Sequence, residues 1–273
     1  MPTKFLHFDT YYADYINNPY NSATTDPNPY EVQFTLPAQI RNVRRVALKS
    51  AEIPISFGQT RGGPSGSQSS GYFAVKINGT QYEFIMSSRT YSSISSFISD
   101  FQDDWDAFVG TPSGKGGTLS VITETGATGN QYFLLLTFST STTVSFIDTP
   151  LSRTVMGFKS SLDSGTNTTF EARGRFNLNA DNFLSMYIPN IPNSSNSVSS
   201  KPCTFKIPLD AGYSTVCYYS DMGSGFEQWI DIPASYNYAM SQLTVCIYDR
   251  WGYQLNPWGG DYTISLAVEY DEE

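Results

Sequence analysis

The sequence is poor in the residues that most chemistry needs. Histidine occurs once, at His7, and cysteine three times, at Cys203, Cys217 and Cys246. No pair is spaced C-x-x-C, and a zinc site needs three or four ligands held close together, so no metal site is expected. A nucleophile–histidine–acid triad would have to use His7, in a segment that reads as a loose arm, so catalysis through it is not expected. Lys and Arg total 16 against 25 Asp and Glu, giving a formal charge of −9 and a pI near 4.6. That balance argues against a protein built to grip nucleic acid, which needs a basic footprint. No apolar run approaches the ~20 residues of a membrane-spanning helix. "MPTKFLHFDTYY" has no apolar stretch like that of a signal peptide, so the expected product is soluble and made in the cytosol. The cysteines sit among apolar neighbours ("STVCYY", "LTVCIYD"), as buried reduced thiols of a reducing compartment do, with one disulfide left open. In that setting the N-x-S/T triplets at Asn78, Asn167 and Asn193 read as chance.

Aromatic side chains are plentiful, at 15% of the chain, the same share as all charged residues together. They suit half-buried pleated sheets and subunit contacts. The 273 residues are enough for one large β-domain or two small ones. Period-two alternation recurs: Val32, Phe34 and Leu36; Leu243, Val245 and Ile247; Ile264, Leu266 and Val268. "YFAVKINGTQYEFIM" places Asn78-Gly79 between two alternating runs, which predicts a type I′ hairpin. One amphipathic helix is expected over 91–109, with Ile94, Phe97, Ile98, Phe101, Trp105 and Phe108 on its apolar stripe and Thr90 or Ser92 as its cap. "PLSRTVMGF" suggests a helical turn. The predicted class is therefore all-β: an antiparallel β-sandwich over 30–273 with one inserted helix. Residues 1–29, rich in Tyr, Asn and Pro, read as an extended arm. Its Phe5, Phe8, Tyr11 and Tyr12 are costly to leave in water, so it should dock on its own domain or on a neighbouring subunit.

Each candidate for chemistry has a plainer reading. Arg41, Arg44, Arg45 and Lys49 fit the solvated side of a strand whose other side holds Val46 and Leu48, with an anionic contact as the alternative. Asp100, Asp103, Asp104 and Asp106 could suggest a two-carboxylate glycosidase, but they fall on the polar face of the helix. "GTPSGKGG", around Lys115, lacks the residue order of a phosphate loop. "DSGTNTTFEARGR" could offer oxygens to a cation but lacks the EF-hand order. "YDRWGYQLNPWGGDY" carries turn dipeptides between two strands, with Trp251 and Trp258 free to cover the sandwich end or touch a partner. No enzyme, cofactor or metal is expected.

The order of several segments resembles the penton and minor capsid proteins of eukaryotic double-stranded DNA viruses, meaning giant viruses, virophages and polinton-like elements. The segments are "VRRVALKSAEIPISF", "NGTQYEFIMSSRTYSSISSFISDF", "TVMGF", "FKIPLDAG", "FEQWIDIP" and "LTVCIYDRWGYQL…DYTISLAVEY", spread over roughly residues 30–270. The resemblance implies a single jelly roll and a structural role in an icosahedral capsid, with a homopentamer at the five-fold vertex. It implies major capsid and other minor capsid proteins as partners and the virion as location, after assembly in the host cytoplasm or nucleus. No catalytic residue is carried over. Subunit contacts would then fall on Phe5, Phe8, Tyr11, Tyr12, Trp251 and Trp258. The alternatives are another minor capsid position, or a carbohydrate-binding β-sandwich using Trp251, Tyr253 and Trp258.

Overall fold

Alternating apolar residues need a second layer to cover them, and the chain supplies that layer by running back and forth between two sheets. The computed structural model describes residues 1–17, 31–55, 59–60, 70–87, 89–110, 117–126, 129–179, 182–192, 203–209, 215–221, 228–252, 254–255 and 261–272. In chain order the elements are β1 (Thr3–Asp9), β2 (Tyr15–Asn17), β3 (Glu31–Ile40), β4 (Val43–Pro54), β5 (Tyr72–Ile77), β6 (Thr80–Ile85), α1 (Ile94–Trp105), β7 (Gly117–Gly126), β8 (Gly129–Phe146), α2 (Ser160–Asp163), β9 (Gly165–Glu171), β10 (Phe183–Tyr187), β11 (Phe205–Pro208), β12 (Val216–Ser220), β13 (Trp229–Asp231), β14 (Met240–Tyr248) and β15 (Thr263–Tyr270).

Where the sequence suggested one domain over 30–273 preceded by an arm, the chain divides into two compact units. One joins Met1–Phe57 to Asp181–Glu273, and the other is Gly58–Ala180. In the first unit, one sheet runs β1-β15-β4-β12, with β13 also on β4, and the other runs β11-β10-β14-β3-β2. All these pairings are antiparallel. With β1, β3, β4, β10, β11, β12, β14 and β15 numbered one to eight, the sheets read 1-8-3-6 and 2-7-4-5. That is the strand order of a jelly roll, two Greek keys folded into a sandwich. The 58–180 unit enters the sequence between the third and fourth of these strands.

The core follows the predicted faces. Val32, Phe34, Leu36, Leu184, Met186, Leu243, Val245 and Ile247 of one sheet share a buried cluster with Val46, Leu48, Ala51, Ile53, Ile264, Leu266 and Val268 of the other. Each of these side chains larger than alanine contributes about 1.5–3 kcal/mol when fully buried. The core positions of β4 change parity between Leu48 and Ala51. Leu48 pairs with Leu266 but Ser50 pairs with Ser265, so Lys49 is the extra residue of a β-bulge.

Two expectations about the N-terminus are corrected. Thr3–Asp9 is an outer strand of the first sheet, paired along its whole length with β15, and not a loose arm. Tyr15–Asn17 pairs with β3; residues 18–29 lie outside the described residues. Phe8 is only 7% exposed and belongs to the core, its ring centroid 5.0 Å from that of Phe34, so it is not free for a subunit contact.

The second unit is a five-stranded antiparallel sheet in the order β6-β5-β8-β7, with β9 on β8. Asn78 (φ 48°) and Gly79 (φ 85°) both take positive φ in the predicted hairpin turn. Helix α1 packs Phe97, Phe101 and Trp105 against aromatic partners of this unit, including Phe73, Phe84, Phe138 and Phe176. Its cap is Ser93, in a reciprocal box with Ser96, not Thr90 or Ser92. From Asp106 to Gly110 the helix widens to π geometry. The extra residue per turn rotates Val109 onto the buried side and leaves Phe108 58% exposed, off the stripe where the helical period placed it. A π-helical turn also spans Pro150–Val155, as the helical reading of "PLSRTV" anticipated.

Candidate assembly surface

The outer face of the β1-β15-β4 sheet is set by pleat alone. Leu6 and Phe8 turn inward on β1, so Phe5 and His7 turn outward. Phe5, Ala267, Ala47 and Trp229 are register partners in one row across the sheet. The alanines are inaccessible, while Phe5 at the sheet edge is 59% exposed. Beside it, His7 Nδ1 lies 2.7 Å from Ser265 Oγ on the opposite strand, a cross-strand polar pair on an exposed face.

The chain leaves β1 through a single 3-10 turn, Thr10–Tyr12, held from three sides. Asp9 accepts a hydrogen bond from the Tyr11 amide at 2.9 Å. The Thr10 amide donates to the Tyr262 carbonyl at 3.1 Å. The Thr10 hydroxyl oxygen accepts from the Tyr262 amide at 2.8 Å and donates to Asp261 at 3.3 Å. Thr10 is fully buried, yet Tyr11 and Tyr12 are 71% and 77% exposed, in edge-to-face contact at 4.9 Å. Two large amphipathic rings are thus presented on a fixed backbone. Tyr218 of β12, opposite Glu52 of β4, and Tyr236 are the other exposed tyrosines described in this unit.

Several other sequence candidates are tied up within the chain. Arg44 bonds Asp271 at 2.6 Å, Arg45 grips Glu269 with two nitrogens at 2.6 and 2.9 Å, and Lys49 bonds Asp221 at 2.6 Å. The Arg45 guanidinium and the Lys49 ammonium also lie 4.2 and 5.3 Å from the Trp229 ring. These three cations are matched by carboxylates of the same chain, which removes the reason to assign them to an external anion. Asp249 is 1% exposed and its carboxylate accepts from the Trp251 amide at 2.9 Å, while its carbonyl accepts from Gly252. Both bonds close the turn that follows β14. Trp251 is half-buried, with the Arg250 guanidinium 5.7 Å from its ring. Tyr253, Trp258 and Lys115 lie outside the described residues. On α1, Asp100 is paired with Arg89 at 2.6 Å. The Asp104 carboxyl is raised, first by burial and then by the neighbouring Asp100 charge. Among the described residues no three His, Cys, Asp or Glu side chains gather as metal ligands, and no helix is long and apolar enough to cross a membrane.

Sequence reasoning singled out Phe5, Tyr11 and Tyr12 but missed Tyr218 and Tyr236, whose exposure follows from strand facing and a tight turn that their own sequence context does not mark.

No family model matches the chain, and no curated protein matches it. Among solved structures, the crystal structure of the selenomethionine-labelled mavirus penton protein aligns with 99% of this chain and 100% of its own, at 11% identity and a TM-score of 0.40. A likeness at that level carries no argument, and the fold assignment rests on the strand order itself.

Proposed function

We propose that this chain is a shell subunit of an icosahedral viral capsid, the pentameric protein that closes the five-fold vertices. The reading is supported by the jelly-roll strand order and by the ordered segments over residues 30–270 that resemble penton and minor capsid proteins. The observation that carries it is the rigid display of Phe5, Tyr11 and Tyr12 at the rim of the β1-β15 sheet. Phe5 and the Tyr11–Tyr12 pair leave large apolar surface in water, and tyrosine is enriched where subunits meet. A five-fold ring uses one patch of a subunit against a different patch of the next, so this rim needs a complementary surface elsewhere on the same chain. The ring would meet the major capsid protein and other minor capsid proteins in the virion. The test is mass measurement of the full chain over a concentration series, with electron microscopy of the product. Closed five-membered rings are expected; a strict monomer at high concentration would sink the proposal.

A further inference from the structure

The segment "DSGTNTTFEARGR" is not used by that reading. Its first residues close α2 and enter β9, and together they line a cleft of about 500 Å³ within the 58–180 unit. Asp163 lines this cleft, with a side chain 1% exposed. Its Oδ2 accepts from the Lys159 amide at 2.7 Å, but its Oδ1 is buried and accepts no hydrogen bond. The nearest cation is the Arg173 Nε at 3.7 Å, which is too long for a hydrogen bond. Arg173 is itself 67% exposed, so its side chain is not packed in place beside that oxygen. Asn167 and Glu171 add polar groups to the lining, and Leu162, 48% exposed, adds an apolar lip. Gly165 lies on the lining too, and a Cβ built there would meet nothing within 4 Å.

We propose that this cleft binds a neutral saccharide, with Asp163 and Arg173 gripping adjacent hydroxyl groups. A vicinal diol offers a donor and an acceptor side by side. One hydroxyl donates a hydrogen bond to the lone Oδ1 of Asp163, and the neighbouring oxygen accepts one from the guanidinium. The two carboxylates of the lining oppose an anion, and the guanidinium opposes a metal ion, so an uncharged polar ligand fits best. The apolar lip meets the C–H face of the ring. This site is independent of subunit assembly, and its test reads the cleft alone.

The experiment is an amide-resolved NMR titration of the full chain with methyl α-mannoside, methyl β-galactoside and N-acetylglucosamine. Calcium chloride and sodium phosphate serve as parallel arms. Saturable shifts at Asp163, Gly165 and Arg173 with at least one sugar are expected. Gly165→Tyr fills the cleft from an open position, and Arg173→Ala removes the guanidinium; each should weaken binding by at least ~10-fold with the melting temperature unchanged. If Gly165→Tyr does not fold, Arg173→Ala, at an exposed side chain, carries the test. No saturable shift with any sugar, sugar binding that survives these variants, or shifts confined to the calcium or phosphate arm would each overturn the proposal.

Discussion

Phe8 and Phe34 meet ring to ring at 5.0 Å, and the contact joins β1 of one sheet to β3 of the other across the jelly-roll core. The N-terminal segment is therefore part of the sandwich. Phe8→Ala should cost about 3–5 kcal/mol, the range for a large ring removed from a packed core. Deleting residues 1–9 should cost more, since β15 loses its partner as well. Denaturant unfolding of the full chain measures both. A change near zero for Phe8→Ala would mean that β1 does not close the sheet.

Phe5, Tyr11 and Tyr12 belong to the same segment but face water. Phe5→Ser combined with Tyr11→Ser and Tyr12→Ser should leave the melting temperature within a few degrees of the parent, because surface changes away from packed features usually fall within about ±0.5 kcal/mol. The same variant should lose ring formation by size-exclusion chromatography with light scattering. Rings that persist would move the subunit contact elsewhere on the molecule.

Much of the jelly roll was legible because alternation is a local signal. Val32 to Leu36, Leu243 to Ile247 and Ile264 to Val268 each announce a buried face, and those faces meet in one core. The Asn78-Gly79 hairpin was legible for the same reason, since its backbone demand is met by two adjacent residues. What was not legible depends on long-range pairing. "TKFLHFD" puts Phe5 on one face and Phe8 on the other, so only its pairing with β15 tells which is buried. Polar Ser139 to Thr142 carry no apolar alternation, yet β8 runs through them from Gly129 to Phe146, held by β7 at one end and by β5 at the other. The bulge at Lys49 and the π turn after Trp105 each add a residue to a regular period, and a period cannot predict its own interruption. The Asp163 cleft was visible only as a set of oxygens, because the missing hydrogen bond is a three-dimensional fact.

Gly157 and Gly174 hold two backbones in contact. Gly157 has φ +84°, and a Cβ there would lie 2.1 Å from the Gly174 carbonyl oxygen; a Cβ on Gly174 would lie 2.8 Å from the Gly157 Cα. Gly79, with φ +85°, has open space around its Cβ position. Gly79→Ala should therefore cost only the left-handed backbone penalty, about 1–2 kcal/mol. Gly157→Ala carries that penalty and a backbone clash, so it should lower the melting temperature further. Equal effects from the two substitutions would show that the 157–174 contact gives way freely.

Cys246 tests the core by chemistry. Burial, aided by the Glu31 charge, pushes its thiol up to about 12 from an ordinary 9.0. Cys217 is buried too, its thiol donating to the Pro208 carbonyl at 3.2 Å, whereas Cys203 is partly exposed. The thiolate is the reactive form, so a disulfide reagent at pH 8 should label Cys203 fast and the other two only as the protein unfolds. The sign for stability follows from the same shift. Folding favours the protonated thiol, so its contribution is complete below about pH 9 and drains away as pH rises toward 12. Tyr238, also pushed up to about 12 by burial, adds loss in the same direction. Cys246→Ala should shallow the alkaline fall in stability without removing it. A variant whose alkaline limb matches the parent's would mean that the thiol is not held in the low-dielectric core that raises it.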